Sequence, residues 1–159
     1  MPGTTALRPA TRADARAMAE MSRDLIEAGL PWRYTPPRMA ALVRDRDTMA
    51  LVASEGGHLH GMAVMHFGDE DAHLVLLCVQ PAQRHRGIGR GLLQWLLESA
   101  RVAGIARIGV ELRADNASAL AFYQRLGFAQ TAWLPHYYDG RLPGRRMRLK
   151  LAAPSDEQG

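Results

Sequence analysis

The stretch Leu74-Val-Leu-Leu-Cys78-Val79-Gln-Pro81-Ala-Gln-Arg84-His85-Arg86-Gly87-Ile88-Gly89-Arg90-Gly91-Leu92-Leu93 decides how the chain is read. It opens with a short continuous apolar run, Leu74 to Val79, the pattern of a strand covered on both faces, and Pro81 ends it. From Gly87 the period changes. Ile88, Leu92, Leu96 and Ala100 recur every fourth residue with Leu93 and Leu97 beside them, while Arg90, Gln94, Glu98 and Arg101 fall on the opposite side, so an amphipathic helix follows. The first amides of a helix lack intrahelical partners and carry the positive end of its dipole. With no side chain at Gly87 or Gly89, a phosphate can descend onto those amides. Arg84, His85, Arg86 and Arg90 crowd the same turn with basic groups, and the whole reads as an anion cradle.

Spacing excludes two nucleotide loops of similar character. A P-loop closes on Gly-Lys-Ser/Thr, and no such triplet occurs. A dinucleotide fingerprint counted from Gly87 demands glycine where the chain has Leu92. Downstream, Ile108, Val110 and Leu112 alternate with Gly109, Glu111 and Arg113, which describes a half-buried strand. Asn116 is placed to cap a helix whose inner stripe is Ala119, Phe122, Tyr123 and Leu126. Gly127 stands where such a helix ends, and Phe128 starts a new extended segment.

Arg84-x-x-Gly87-x-Gly89 resembles the acyl-CoA pyrophosphate loop of the GNAT superfamily of N-acetyltransferases. The segment Glu111 to Phe128 resembles the other block of that superfamily, Asn-x-x-Ala-x-x-x-Tyr-x-x-x-Gly-Phe, with Phe122 in place of the usual leucine before Tyr123. The two blocks stand in the family order and at the family distance, and the resemblance extends loosely over residues 6–151. It implies an α/β single domain with a central mixed, mostly antiparallel sheet of about six to seven strands, flanked by about four helices, with strands four and five a splayed parallel pair. Residues 1–152 are expected to form that domain, and 153–159 a disordered tail.

The same resemblance implies acetyl-CoA as cosubstrate, held around Cys78, Val79, Arg84, His85, Arg86, Gly87, Ile88, Gly89, Arg90, Gly91, Asn116 and Tyr123, with no metal. In such enzymes the residue at the Val79 position donates its N–H to the thioester oxyanion, and the tyrosine at the Tyr123 position protonates the departing sulfur. Two residues compete as the base. Glu111 is the first choice, because the N-terminal protein acetyltransferases that this block resembles keep a Glu-x-Arg pair before the capping asparagine, and Glu111, Arg113, Asn116 and Tyr123 reproduce that spacing. His73 is the rival, since other branches place a glutamate about six residues before the Val79 position and imidazole titrates near neutrality. The plainer readings are an ion pair with a loop arginine for Glu111, a strand-edge histidine for His73 and a core ring for Tyr123.

The reaction expected is direct acetyl transfer to a primary amine in a ternary complex, a small-molecule amine being favoured over a protein N-terminus. The alternative is a noncatalytic acyl-CoA-binding or sensing domain. Trp32 and Tyr34, between the first two helices, and Tyr137 and Tyr138, in the last hairpin with Trp133 and His136, are the aromatic residues available to contact an acceptor. Packing explains them equally well.

Composition agrees. The 159 residues are 47% hydrophobic and 23% charged, ordinary for a globular domain with an ample core. The net charge of +4 raises the question of nucleic acid, but the arginines are scattered among the 84–90 loop, Arg44 and Arg46, and Arg141 to Arg148, with no helix-turn-helix, zinc-finger or RNP pattern. No apolar run is long enough to span a bilayer, so a soluble, cytoplasmic protein without membrane or nucleic-acid partners is expected, with a homodimer through the last strand possible for such folds. Cys78, the single cysteine, lies in the apolar strand and reads as structural. His58 and His60 share a strand face without a third ligand, which argues against a metal.

The remaining elements are an opening strand at 6–9, a helix from Thr11 through Leu25, and a second helix started by Pro36 and Pro37. A hairpin of 49–54 and 58–67 follows, turning at Glu55-Gly56-Gly57. The 74–80 strand, its helix and 107–113 form a right-handed crossover unit. Two closing strands, 128–134 and 146–151, are expected to be joined through a linker from Pro135 to Pro143.

Overall fold

The computed structural model describes residues 5–151. Its strands are β1 (Ala6–Pro9), β2 (Thr48–Glu55), β3 (His58–Phe67), β4 (Asp71–Val79), β5 (Arg107–Arg113), β6 (Ala129–Tyr138) and β7 (Leu142–Lys150); its helices are α1 (Ala15–Met21), α2 (Pro36–Arg44), α3 (Ile88–Val102) and α4 (Ala117–Arg125). The strand order is β1-β2-β3-β4-β5-β7-β6 in one mixed sheet, with β4 and β5 parallel. Both the strand number and the parallel pair match the expected α/β fold. The chain divides into two compact units, one of residues up to Phe67 with Leu74–Ser99, the other of Gly68–His73 with Ala100 onward.

In the first unit β1, β2 and β3 form an antiparallel meander, and the hairpin turns at Gly56 and Gly57, whose φ of 58° and 83° suit the twist of the flanking strands. Leu51 to Ala53 and Met62 to Met65 are wholly buried, so these strands carry apolar residues on both faces. Helix α1 buries Ala15, Met18, Ala19 and Met21 against Val52, Met62, Val64, Leu76 and Cys78. Its α-helical turns end at Met21, but the helical segment continues through Ile26, as far as the periodicity predicts. Ser22–Ile26 widens into a π turn, in which Glu27 N–H donates to the Ser22 carbonyl at 2.7 Å and Ser22 Oγ donates to Glu27 Oε2 at 2.7 Å. Helix α3 buries Ile88, Leu92, Leu93, Leu96, Leu97 and Ala100, as its spacing demands.

In the second unit β5 buries Ile108, Val110 and Leu112 and pairs antiparallel with β7, which places Glu111 directly opposite Arg146. Asn116 Oδ1 accepts from the Ala119 N–H at 3.0 Å, capping α4. At its other end Phe128 N–H donates to the Tyr123 carbonyl and Gly127 N–H to that of Gln124, both at 3.0 Å, with Gly127 at φ 97°. This termination brings Phe128 back onto Tyr123, the ring centroids 5.3 Å apart and edge-on, and leaves the tyrosine 6% exposed.

The last hairpin corrects the sequence reading. Strands β6 and β7 run on to Tyr138 and back from Leu142, leaving only Asp139 to Arg141 between them. Pro135 was expected to end a strand; instead it lies in the outermost one, where the register shifts between Leu134 and Tyr138 and His136 takes φ 62°. A bulge on an edge strand tolerates the missing N–H. Asp139 and Gly140 both have positive φ, 54° and 64°, which makes the Asp-Gly pair the turn. The expected tail at 153–159 lies outside the described residues.

Candidate active site

The anion cradle belongs to the first unit. Pro81–Gln83 forms a single 3-10 turn after β4, and Arg84 then extends with φ −72° and ψ 161°. His85 and Gly87 both adopt left-handed conformations, at φ 65° and 82°, on either side of Arg86. Left-handed residues beside right-handed ones are what an anion nest is built from, and the loop has two such positions. A Cβ built on Gly87 meets nothing within 4 Å, so the space over the first turn of α3 is open to a ligand. The Gly91 N–H closes the first helical bond to Gly87 at 2.9 Å. Arg84, His85, Arg86 and Arg90 are all exposed, so their basic groups are available to a pyrophosphate, and these residues fit the cosubstrate.

Not every residue of the loop faces that space. Gly91 is small for packing, because a Cβ there would stand 3.0 Å from Leu7 Cδ1. The Ile88 side chain is buried near Gly61, whose own added Cβ would lie 3.2 Å from Ile88 Cγ2. Cys78 packs into the core beneath α1, and burial pushes its thiol up to about 12 despite the charge of Arg84, so it is inert at neutral pH. Arg84 Nε donates to the Val79 carbonyl at 3.3 Å, tying the basic loop to the end of β4. Arg86 is hydrogen-bonded to Gln83.

The second unit holds a carboxylate cluster. Glu111 Oε1 is 2.5 Å from His73 Nε2, and Oε2 accepts from Arg146 Nε at 3.0 Å. The Glu111 side chain is 12% exposed, against 46% for His73 and 38% for Arg146. Burial pushes the Glu111 carboxyl up, but the hydrogen bonds and charges of His73 and Arg146 outweigh it and leave the group below the ordinary glutamate value. Tyr138 is raised by burial, then by Tyr137 and by the nearby charge of Glu111, so its phenol stays protonated. Its ring lies over Gly144, where a Cβ would fall 2.9 Å from Tyr138 Cε2. Tyr137 stacks edge-on against it at 4.9 Å and is 45% exposed.

The two residues that compete as bases in the sequence are therefore bonded to each other. Arg146 was missed as their partner; its signal was the pairing of β5 with the last strand, which a single-strand reading does not supply. Trp32 and Tyr34 lie in the first unit and are half-buried against the α1 and α2 cluster. Trp32 Nε1 donates to the Ala19 carbonyl at 3.2 Å under Arg23, and Arg38 covers Tyr34 at 4.8 Å. Glu27 nearby is 6% exposed and accepts from the Arg33 and Tyr34 amides, a buried carboxylate that organises this loop and that periodicity did not reveal. Among the described residues no group of three or more His, Cys, Asp or Glu is placed to hold a metal, and no helix is long and apolar enough to cross a membrane.

The Acetyltransferase (GNAT) family matches residues 16–128. The ribosomal protein bS18-alanine N-acetyltransferase of Escherichia coli is 33% identical over 102 residues, covering 62% of this chain and 69% of that protein. Its crystal structure superimposes with a TM-score of 0.82 over 98% of this chain and 99% of that one, at 23% identity. The N-alpha-acetyltransferase RimI of Mycobacterium tuberculosis is 36% identical over 137 residues, covering 80% of each chain. The structure of yncA from Salmonella typhimurium with its cofactor acetyl-CoA has a TM-score of 0.77 at 26% identity, covering 96% of this chain and 98% of that one. This chain belongs to the acetyltransferase (GNAT) family. It is an N-acetyltransferase that draws its acetyl group from acetyl-CoA.

Proposed function

We propose that the acceptor is the α-amine of a protein N-terminus, with Glu111 as base and Tyr123 as acid. The observation that carries this is the ionised Glu111 held between His73 and Arg146. A carboxylate kept below its ordinary value is a weak base. An α-ammonium titrates near 7.7 to 8.0 and a lysine ammonium near 10.4, so deprotonating lysine costs about 3.5 kcal/mol more at 1.36 kcal/mol per unit. A weak base therefore favours the least basic primary amines. The relatives named for alanine and N-alpha acetylation support the same acceptor, and the reading shifts from a small-molecule amine to an N-terminus on these two grounds.

Acetyl-CoA supplies the thioester. Its pyrophosphate is assigned to the amides following Gly87 and to Arg84, Arg86 and Arg90, and the Val79 N–H to the carbonyl oxygen that becomes the oxyanion. The neutral amine attacks the thioester carbon, the C–S bond breaks, and the Tyr123 hydroxyl protonates the leaving thiolate. Tyr137, exposed beside Tyr138 in the β6–β7 hairpin, is proposed to contact the peptide.

Thiol release from acetyl-CoA, read with product mass, tests this on N-terminal peptides, the same peptides with a blocked α-amine and an internal lysine, and small amines. At least tenfold higher kcat/KM for free α-amines is expected. Equal turnover of blocked, lysine-bearing peptides, or preference for polyamines or aminoglycosides, refutes it.

A further inference from the structure

The proposed base stands on a sheet face rich in cations. Ile108, Val110 and Leu112 of β5 point into the core, so Arg107, Gly109 and Glu111 occupy the opposite face. Residues directly paired across an antiparallel ladder share a face, which sets Lys150 beside Arg107, Arg148 beside Gly109 and Arg146 beside Glu111. Two of these cations are matched by carboxylates. Arg146 Nε donates to Glu111 Oε2 at 3.0 Å, and Arg107 Nε donates to Asp71 Oδ1 at 2.7 Å, with Glu70 Oε2 3.8 Å from Arg107 Nη2. Arg148 and Lys150 are exposed, and among the described residues neither forms an ion pair. The charge of Arg148 reaches Asp71, but that carboxylate is already bonded to Arg107.

Opposite Arg148 the strand is bare. Gly109 has no side chain, and a Cβ built there would meet only the Met147 carbonyl, at 4.0 Å. Between the side chains of Arg107 and Glu111, β5 therefore offers an open stretch of backbone with an unmatched arginine on the neighbouring strand. We propose that Gly109 and Arg148 form a carboxylate subsite next to the base, and that the enzyme selects acceptor N-termini bearing aspartate or glutamate at the second or third residue. This rests on the reading that the α-amine of a protein N-terminus is deprotonated at Glu111. Same-face residues of a strand stand about 6.4–6.8 Å apart. An extended peptide advances about 3.3–3.6 Å per residue. With its amine at Glu111, the acceptor thus brings the side chain of its second or third residue within reach of Arg148.

A guanidinium suits that task, since its planar fork donates two parallel N–H bonds to one carboxylate. Lys150, further along β7, adds positive charge without the fork, so it strengthens the attraction and leaves the geometry to Arg148. An acceptor lysine at the same positions meets Arg146 and Arg148 instead and is repelled. The contact lies away from the reacting atoms and is made equally in the ground and transition states, so it acts on KM and not on kcat. Being exposed, it is also weakened by salt.

The test uses peptides that begin with alanine and differ only at the second and third residues, which are acidic, neutral or lysine. Acetylation by wild type, Arg148→Gln and Arg148→Glu is measured at low and high salt, and the ratio of kcat/KM for acidic over neutral peptide is formed within each protein, so that any general loss of activity cancels. Wild type should give a ratio of about five at low salt, near the upper end for an exposed ion pair, carried by KM and falling toward one at high salt. Arg148→Gln should bring the ratio to about one, and Arg148→Glu should place the lysine peptide above the acidic one. A wild-type ratio near one, or a ratio that Arg148→Gln leaves unchanged, overturns the subsite while N-terminal acetylation stands. If none of the free α-amine peptides is acetylated, the N-terminus reading itself fails, and the subsite falls with it.

Discussion

Replacing Gly144 by alanine should loosen the last hairpin through a single contact. The glycine is buried in β7, opposite Arg113, and its φ is not positive, so alanine is conformationally acceptable there. The added methyl, however, would stand 2.9 Å from Tyr138 Cε2, 3.2 Å from the Leu112 carbonyl and 3.5 Å from Tyr137 Cβ. The first distance is too short for carbon atoms, and the backbone oxygen on another side leaves the methyl little room to retreat. Overpacking costs about 1–3 kcal/mol. Against it stands the lower unfolded-state entropy of alanine, which stabilises by about 0.4–1 kcal/mol where the backbone permits. At the middle of both ranges overpacking wins, for a net loss of about 1.3 kcal/mol. Removing the ring separates this cause from others. In a Tyr138→Ala background the short contact is gone, so the same glycine substitution should cost about 1 kcal/mol less, the size of coupling expected of touching residues. Urea unfolding of wild type, both single variants and the double variant measures this directly. A Gly144→Ala protein as stable as wild type, or an equal cost in both backgrounds, refutes the reasoning.

Other outcomes follow from the site. Tyr123→Phe should lower kcat about 10²-fold with little change in CoA affinity, as removal of a general acid predicts; unchanged turnover would take Tyr123 out of the mechanism. Gly87→Ala places a side chain on a φ of 82° and over the first turn of α3, so CoA affinity measured by calorimetry should fall at least tenfold while β4 and α3 remain folded. The lowered Glu111 pKa means that ionisation contributes stability above the ordinary glutamate value of about 4.3, and that this contribution is lost as pH falls through the folded value. Glu111→Gln should therefore be less stable than wild type at neutral pH and converge with it on acidification, which unfolding curves from pH 7 to 3 would display.

Local chemistry made much of this legible. The 3.6-residue period of α3, the alternation in β5 and the Asn116 and Gly127 caps each depend on residues close in sequence, and each was read correctly. Features that failed involve partners distant in the chain. Arg146 meets Glu111 only because β7 pairs beside β5; the sequence pointed to a loop arginine as a partner for Glu111, and the partner is a strand one. Pro135 looked like a strand terminator because its outcome depends on whether the strand has a neighbour on that side. The widening of α1 at Ser22 goes with the buried Ser22–Glu27 bond, whose five-residue spacing is that of a π turn and not of the 3.6-residue period read in the sequence. The loop showed a different limit. Its glycines look alike in sequence, yet a side chain added at Gly87 would meet open space and one added at Gly91 would meet Leu7.

The irregularity at Pro135 and His136 also bears on how the protein behaves at high concentration. An outermost strand of ten residues is, in general, the kind of edge on which copies of a chain can aggregate. Here the register with β7 is interrupted between Leu134 and Tyr138, and Pro135 lacks an N–H, features that work against a regular incoming strand. The same kink that carries Tyr137 and Tyr138 into the turn thus guards the sheet against edge-to-edge growth. Straightening it, for example by Pro135→Val together with a residue that disfavours positive φ at 136, would trade that protection for a longer and stickier edge.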